Sequence, residues 1–319
     1  MLSDCCILSG VVQSPVWIRS EERKCTLPSV ISSLLKAQIS LTAPLLSALD
    51  LERQRKLQDT LASLGTRVAA NRTVHRKAAL PHCQAAWVFP RRGWVRGAVL
   101  YLHGGGYITG TLEHAQGYGA VIAVETGRAT LCLGYRLAPE DPFPAALNDA
   151  LDAYRLMLTR YPACDIALVG ESAGGGLCFA LALRLKQLGL PQPDKMVTLS
   201  PWVDLSQSLE ACQAMGKDPV LSCEGLKQAA EYYLAGHPAD DPLVSPLFGD
   251  LSGLPSGLII TGGDEILLAE SREINSRLLL AGVSSTLHVE EGMWHVYPLY
   301  PVPEARAAQA MISEFLAVP

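Results

Sequence analysis

The chain reads as an α/β protein: a mostly parallel eight-stranded sheet flanked by helices, with a helical cap. Three observations carry this. From Gly97 onward, short apolar runs of strand length alternate with longer stretches of helical period, the pattern of parallel strands joined by crossover helices. Those runs are mostly apolar, as strands buried on both faces require. The composition agrees, with 49% hydrophobic and only 18% charged residues, which suits a large doubly covered core.

Residues 1–65 differ in character from the rest of the chain. Ile31, Leu34, Leu35 and Ile39, then Leu45, Leu49, Leu57, Leu61 and Leu64, recur at helical spacing on either side of Pro44. Two or three helices are therefore expected ahead of the sheet. Strand-type runs come next, near 66–70 and 85–89, with Arg91-Arg92-Gly93 as a turn. Further strands are expected near 97–102, 129–135, 166–170, 196–200, 257–261 and 285–289. Helices are expected near 115–126, 144–160, 173–188, 265–281 and 304–317. The stretch 202–245 breaks the rhythm; it is long and polar, with one helical piece from Glu224 to Leu234. An insertion there lies above the strand C-termini, where α/β sheets bind ligands. Residues 1–65 and 202–245 are thus assigned to a cap, and the rest of 66–319 to a single catalytic domain, since no linker interrupts it.

Bulk properties exclude several partners. A net charge of -5, with no basic cluster beyond pairs such as Arg91-Arg92, argues against nucleic acid. No apolar run approaches the ~20 residues of a membrane span, and the first residues lack the basic segment of a signal peptide. The nine cysteines are scattered without a C-x-x-C pair, so neither a disulfide framework nor a zinc site is expected. A soluble protein of a reducing, cytoplasmic compartment is the resulting expectation. The glycine-rich loops fail the dinucleotide pattern, because Thr109 and Phe179 stand where its third glycine belongs. No G-x-x-x-x-G-K-[ST] occurs either, and no cofactor is expected.

What the loops do match is catalytic. Ile166 to Val169 runs into Gly170-Glu171-Ser172-Ala173-Gly174, and the helical run Leu177 to Leu188 comes after. G-x-S-x-G at a strand-to-helix junction is a nucleophile elbow, a turn too tight for a Cβ on either side of the serine. It sets Ser172 Oγ at a helix N-terminus, where developing negative charge is favoured. Upstream, Ala98 to Leu102 ends in His103-Gly104-Gly105-Gly106-Tyr107, a loop of oxyanion-binding type. Downstream, Leu258 to Thr261 leads to Gly262-Gly263-Asp264, and Leu287-His288-Val289 leads to Met293-Trp294-His295. The order serine, acid, histidine is that of α/β-hydrolases.

Taken together, these segments resemble the hormone-sensitive-lipase-like (bacterial family IV) carboxylesterases. Besides those motifs, the resemblance rests on Tyr135-Arg136-Leu137-Ala138-Pro139-Glu140, Phe143-Pro144-Ala145-Ala146, Ser200-Pro201-Trp202 and Ser245-Pro246-Leu247, and it covers most of residues 95–300. It implies an α/β-hydrolase fold and ester hydrolysis without metal or organic cofactor. Three positions depart from the family pattern: Glu171 precedes the nucleophile where aspartate is commoner, Gly134 replaces an aspartate often found before Tyr135, and the histidine lies in Met293-Trp294-His295-Val296-Tyr297 where H-G-F is usual.

Each candidate has a plainer competitor. Ser172 serves as nucleophile or as a simple helix N-cap; the flanking glycines favour the first. His295 is the base and competes with His103, His114 and His288, of which His288 alternates within a strand and His103 belongs to the glycine loop. Asp264 is the expected acid because it follows its strand most directly, ahead of Glu265 and Glu270, whose charges suit a helix N-terminus. The N–H groups of Gly105, Gly106 and Ala173 are the expected oxyanion donors. Tyr107 is read as a wall of the substrate pocket or as a packing residue, and Glu171 as an anchor beside the elbow or a tolerated polar residue. The expected partner is a small acyl substrate, enclosed by the cap in a compact apolar pocket; monomer and homodimer are both open. Thioesterase-like or acyl-transfer chemistry would use the same acyl-enzyme. A non-catalytic receptor on the same fold is a third reading, disfavoured by His295, since gibberellin receptors that resemble this family lose that histidine.

Overall fold

The mostly apolar runs form the middle of one sheet, and their carboxyl ends stand side by side. The computed structural model describes residues 28–47, 49–57, 71–214 and 218–317. Its strands are β1 (Thr73–Ala79), β2 (Gln84–Pro90), β3 (Ala98–Leu102), β4 (Ala129–Gly134), β5 (Ile166–Glu171), β6 (Lys195–Leu199), β7 (Ser256–Gly262) and β8 (Ser285–Glu290). They lie in the order β1-β2-β4-β3-β5-β6-β7-β8. Only the β1–β2 and β2–β4 pairings are antiparallel. The register aligns Leu102 with Gly170, Glu171 with Leu199, Leu199 with Ile260, and Gly262 with Glu290. Loops leaving β3, β5, β6, β7 and β8 therefore meet at one rim.

The pleat divides the core in two. Val99, Tyr101, Val169, Val197 and Ile260 pack with α2 (Leu112–Thr126) and α8 (Pro303–Ala317) on one face. Leu100, Leu102, Leu168, Met196 and Ile259 pack on the other with α3 (Ala145–Leu158), α4 (Ala173–Gln187) and α7 (Leu268–Leu280). Alternate side chains of one strand thus serve opposite helical layers, which is why these strands are mostly apolar on both faces.

One expectation needs correcting here. The helix α1 (Val30–Ser47) runs through Pro44, where the sequence pattern predicts a break. Residues 51–57 are helical as well. The expected strand near 66–70 lies outside the described residues. Its neighbour β1 escapes the sequence pattern because Thr-Val-His-Arg-Lys-Ala-Ala is an edge strand, mostly wet and largely polar.

The cap insertion contributes α5 (Leu209–Ala214) and α6 (Cys223–Leu234). Here the cysteine expectation fails too: Cys212 and Cys223 form a disulfide between these two helices. They stand eleven positions apart in sequence, a spacing with no motif of its own, and it is the fold of this stretch that brings them together.

Candidate active site

Ser172 sits where β5 turns into α4. Its backbone is at φ 54°, ψ -123°, a region that L-residues occupy only when their surroundings enforce it. The enforcement is visible: Ser172 N–H donates to Leu199 O at 2.9 Å, and Ser172 O accepts from Trp202 N at 3.0 Å and Gly176 N at 3.1 Å. A Cβ on Gly174 would run into the carbonyls of Leu102 and His103. Glycine is thus required there so that the helix can start against the end of β3.

Ser172 Oγ lies 3.0 Å from His295 Nε2, a hydrogen bond within reach of proton transfer. The histidine belongs to the turn after β8, between the buried Trp294 and Val296, whose N–H donates to Ser200 Oγ at 3.0 Å. Burial by itself would push the imidazole down, but the carboxylates of Glu265, Asp218 and Glu171 together hold it above its ordinary value.

The carboxylate that faces His295 is not the one the sequence pattern predicts. Asp264 is 46% exposed and pairs with Lys36 of α1; among the described residues no hydrogen bond or ion pair joins it to His295. Its successor, Glu265, is turned inward. Glu265 Oε1 stands 3.9 Å from His295 Nδ1, an ion-pair distance, longer than a hydrogen bond. Three donors seat that carboxylate: Thr261 Oγ1 at 2.6 Å, Ser200 Oγ at 2.7 Å and Gly262 N at 3.1 Å. The physical reason is the tight turn after β7. The Asp264 N–H is tied to Met293 O at 2.8 Å while its side chain faces the surface, and the next residue takes the interior. Ser200, at the end of β6, links the two halves, donating to Glu265 and accepting from the residue after His295. Sequence reasoning misses its role; its only signal is membership of the Ser200-Pro201-Trp202 segment.

The oxyanion loop leaves β3 at the same rim. Gly105 has φ 104°, and a Cβ there would collide with Thr109; its carbonyl accepts the N–H groups of Ile108 and Thr109, both at 3.0 Å. Among the described residues, the N–H groups of Gly105, Gly106 and Ala173 donate to nothing. Glu171 locks this loop to the elbow: Oε1 accepts Gly104 N–H at 2.7 Å and Oε2 accepts Tyr101 Oη–H at 2.6 Å. Burial raises its carboxyl to about 7, against the pull of these two donors. His103 is structural; Nδ1 lies 2.7 Å from Gly104 O and its ring stacks on Tyr135 at 4.1 Å. Burial first, and then His114, drive it down to about 3, which keeps it neutral. His288 pairs with Glu290 in its own strand at 2.9 Å.

Tyr107 falls to its packing reading. It is 1% exposed, and its ring lies flat on that of Tyr233 from α6, with centroids 3.8 Å apart. The buried stack fastens the oxyanion loop to the cap. The N-terminal segment grips the same rim: Arg55 Nε donates to Ile108 O at 2.7 Å, and its guanidinium forks onto Glu140 at 2.8 Å. A half-open cavity of about 200 Å³ lies against α5 and α6, beside Trp202, Leu226, Glu270 and the disulfide. Neither Ser172 nor His295 lines it, so it is a neighbour of the reacting atoms and not their chamber.

The chain is similar to known hydrolases over most of its length. A family model described as the alpha/beta hydrolase fold matches residues 99–299. An acetyl-hydrolase of Streptomyces hygroscopicus is 39% identical over 239 residues, 74% of this chain and 80% of its own. A solved esterase of the bacterial hormone-sensitive lipase family superposes with a TM-score of 0.81 at 35% identity, covering 88% of this chain and 96% of that one. The esterase EstE5, soaked with p-nitrophenyl butyrate, superposes at 0.83 with 33% identity, covering 90% and 98%. The chain belongs to the alpha/beta hydrolase fold family, among the esterases of its hormone-sensitive-lipase-like branch.

Proposed function

We propose that this protein hydrolyses carboxylic esters of small acyl groups through a covalent acyl-enzyme on Ser172. One observation carries the reading: Ser172 Oγ is held 3.0 Å from His295 Nε2, beside three N–H groups that have no other acceptor among the described residues. In the first half-reaction Ser172 Oγ attacks the ester carbonyl carbon while His295 Nε2 takes its proton. The carbonyl oxygen becomes an oxyanion facing the N–H groups of Gly105, Gly106 and Ala173, and His295 returns the proton to the leaving alcohol. Water, activated by the same imidazole, then releases the acid. Glu265 replaces Asp264 as the triad acid, since Glu265 is buried and faces Nδ1, where a negative charge stabilises imidazolium, while Asp264 is half-exposed and paired with Lys36.

The acyl preference rests on the cap. Tyr107, directly after the oxyanion glycines, stacks on Tyr233 of the cap, and Trp202, whose N–H donates to Ser172 O, also lines the cap cavity. Bulky rings thus border the serine, which favours a short acyl chain. The names of the relatives, an acetyl-hydrolase and an esterase soaked with a butyrate ester, support short acyl groups. No described helix is long and apolar enough to cross a membrane.

The reading is tested with a fluorophosphonate probe and a panel of p-nitrophenyl esters. The probe should label Ser172 stoichiometrically and spare Ser172→Ala, and acetate and butyrate esters should turn over faster than emulsified long-chain lipid. Labelling at another serine of the folded protein would overturn the nucleophile assignment; the opposite chain-length order would overturn the cap argument.

A further inference from the structure

One carboxylate near the triad has no part in this acyl-enzyme scheme. Asp218 enters from the cap, just ahead of α6, yet its bonds lead to the catalytic rim. Oδ1 accepts the N–H groups of Val220 at 2.7 Å and Leu221 at 3.1 Å, which shapes its own turn. Oδ2 accepts the N–H of Ile266 at 3.0 Å, the residue directly after Glu265. On the other side, Lys36 of α1 reaches both Asp264 and, at 3.2 Å, the carbonyl of Gly292, three residues before His295. Two cap segments therefore hold the tripeptide Asp264-Glu265-Ile266 from opposite ends.

We infer that Asp218 is a positioning residue: its carboxylate clamps the cap onto the chain that carries Glu265 and places a second negative charge beside the His295 imidazole. This rests on the hydrolase reading and adds to it a dependence of the triad on the cap. The field around His295 then has three sources on three elements: Glu265 from the turn after β7, Asp218 from the cap and Glu171 from the elbow, all favouring the charged ring against its burial. Around Asp218 itself, burial raises the carboxyl and His295 with the three N–H groups opposes the rise. The Tyr300 phenol also faces it and is pushed up to about 12, by burial first and then by Asp218. When His295 takes the proton of Ser172, imidazolium forms beside Glu265 and in the field of Asp218. Glu265 does not stand alone at a 3.9 Å separation, and the second charge makes up part of what that distance loses.

A structural role in the turn alone would also weaken the enzyme, so the test reads pH as well as rate. kcat and kcat/KM for p-nitrophenyl butyrate would be followed against pH for wild type, Asp218→Asn and Asp218→Glu. Removing the charge should lower kcat about tenfold and move the acid limb of kcat/KM down by about one pH unit, because imidazolium loses a stabilising neighbour. Asp218→Glu should restore the limb even where the rate stays depressed. A limb that stays in place in Asp218→Asn, whatever the loss of rate, would reduce Asp218 to a turn residue and overturn the inference. Should Asp218→Asn fail to fold, Asp218→Ser keeps a side-chain acceptor for the turn and is read by the same shift. Failure of the hydrolase reading looks different: wild type itself would then not be labelled at Ser172 by fluorophosphonate.

Discussion

The elbow after β5 and the turn after β7 both end a parallel strand at the same rim, and both deliver a residue of the proposed triad, yet only one announces itself in the sequence. At the elbow the constraint is backbone. Glycines must flank the serine because their Cβ atoms would strike neighbouring main chain, so the motif can be spelled out in five residues. At the β7 turn the constraint is side-chain direction. Asp264 and Glu265 are adjacent acids; one is 46% exposed against Lys36, and the other is buried on Ser200, Thr261 and Gly262. Nothing local distinguishes them, since two of the deciding contacts come from the ends of β6 and β8.

The comparison is broken most severely at the elbow. Ser172→Ala and His295→Ala should each lower kcat by about 10⁴–10⁶, and the double variant should be little worse, because the members act as a unit. Additive losses for the two would separate serine from histidine and dissolve the 3.0 Å pair as a working unit.

The next experiment compares the two neighbouring acids. Glu265→Gln should cost about 10³–10⁴ in kcat, since the imidazolium loses its buried counter-charge and the tautomer its support. Asp264→Asn should stay within about fivefold of wild type, as expected for a carboxylate engaged in a partly exposed ion pair. The reverse ranking would restore Asp264 to the triad. Wild-type kcat/KM should also rise with pH through a midpoint above 6.5, the ordinary histidine value, because the raised imidazole must lose its proton before it can act as base. A midpoint at or below that value would mean that burial outweighs the acids around the ring.

How much can be read without coordinates divides the same way. The mostly apolar strands, the elbow, the H-G-G-G loop and His295 are legible because each is fixed by backbone space or by burial on both faces. Tyr107 is not: one residue after the glycines it can face either substrate or cap, and Tyr233, 126 positions away by the chain numbering, settles it by stacking. The Cys212–Cys223 bond, the role of Ser200 and the grip of Asp218 on Ile266 are equally hidden, since each joins elements that only the fold brings together. Edge strand β1 is hidden for the opposite reason, being too wet to carry an apolar pattern.

Glu171 lies between the two kinds of region, in the elbow by sequence and in the oxyanion loop by its bonds. Its replacement should cost less than loss of the acid. Glutamine can still accept from Gly104 N–H and turn its amide toward the Tyr101 oxygen, so Glu171→Gln should keep most of the activity. Glu171→Ala leaves both donors buried and unpaired and lets the glycine loop shift. It should lower kcat about tenfold to a hundredfold, short of deleting an oxyanion donor outright. Equal losses for the two variants would mean that the charge, and not the bond to the loop, is what matters.

The smallest effect is expected at Asp264, and it tests what that residue does once it is removed from the triad. Its carboxylate pairs with Lys36, the two side chains being 46% and 28% exposed, so solvent screens the attraction and the pair contributes about 0.2–1 kcal/mol. What it joins is nonetheless specific: α1, already fastened to α8 where Glu304 accepts from Ser29 and Ser32, is drawn onto the rim beside Glu265. Lys36→Met and Asp264→Asn should each lower the melting temperature by about 1–3 °C. The double variant should be no worse than either, the mark of one shared interaction. In all three proteins kcat should stay close to wild type, because Glu265 keeps Ser200, Thr261 and Gly262 as its own supports. Additive melting shifts would show that the two residues stabilise the protein independently. A large fall in kcat in Lys36→Met alone would show that the N-terminal helix reaches the triad through Asp264, and would return to that residue a part in positioning the acid beside it.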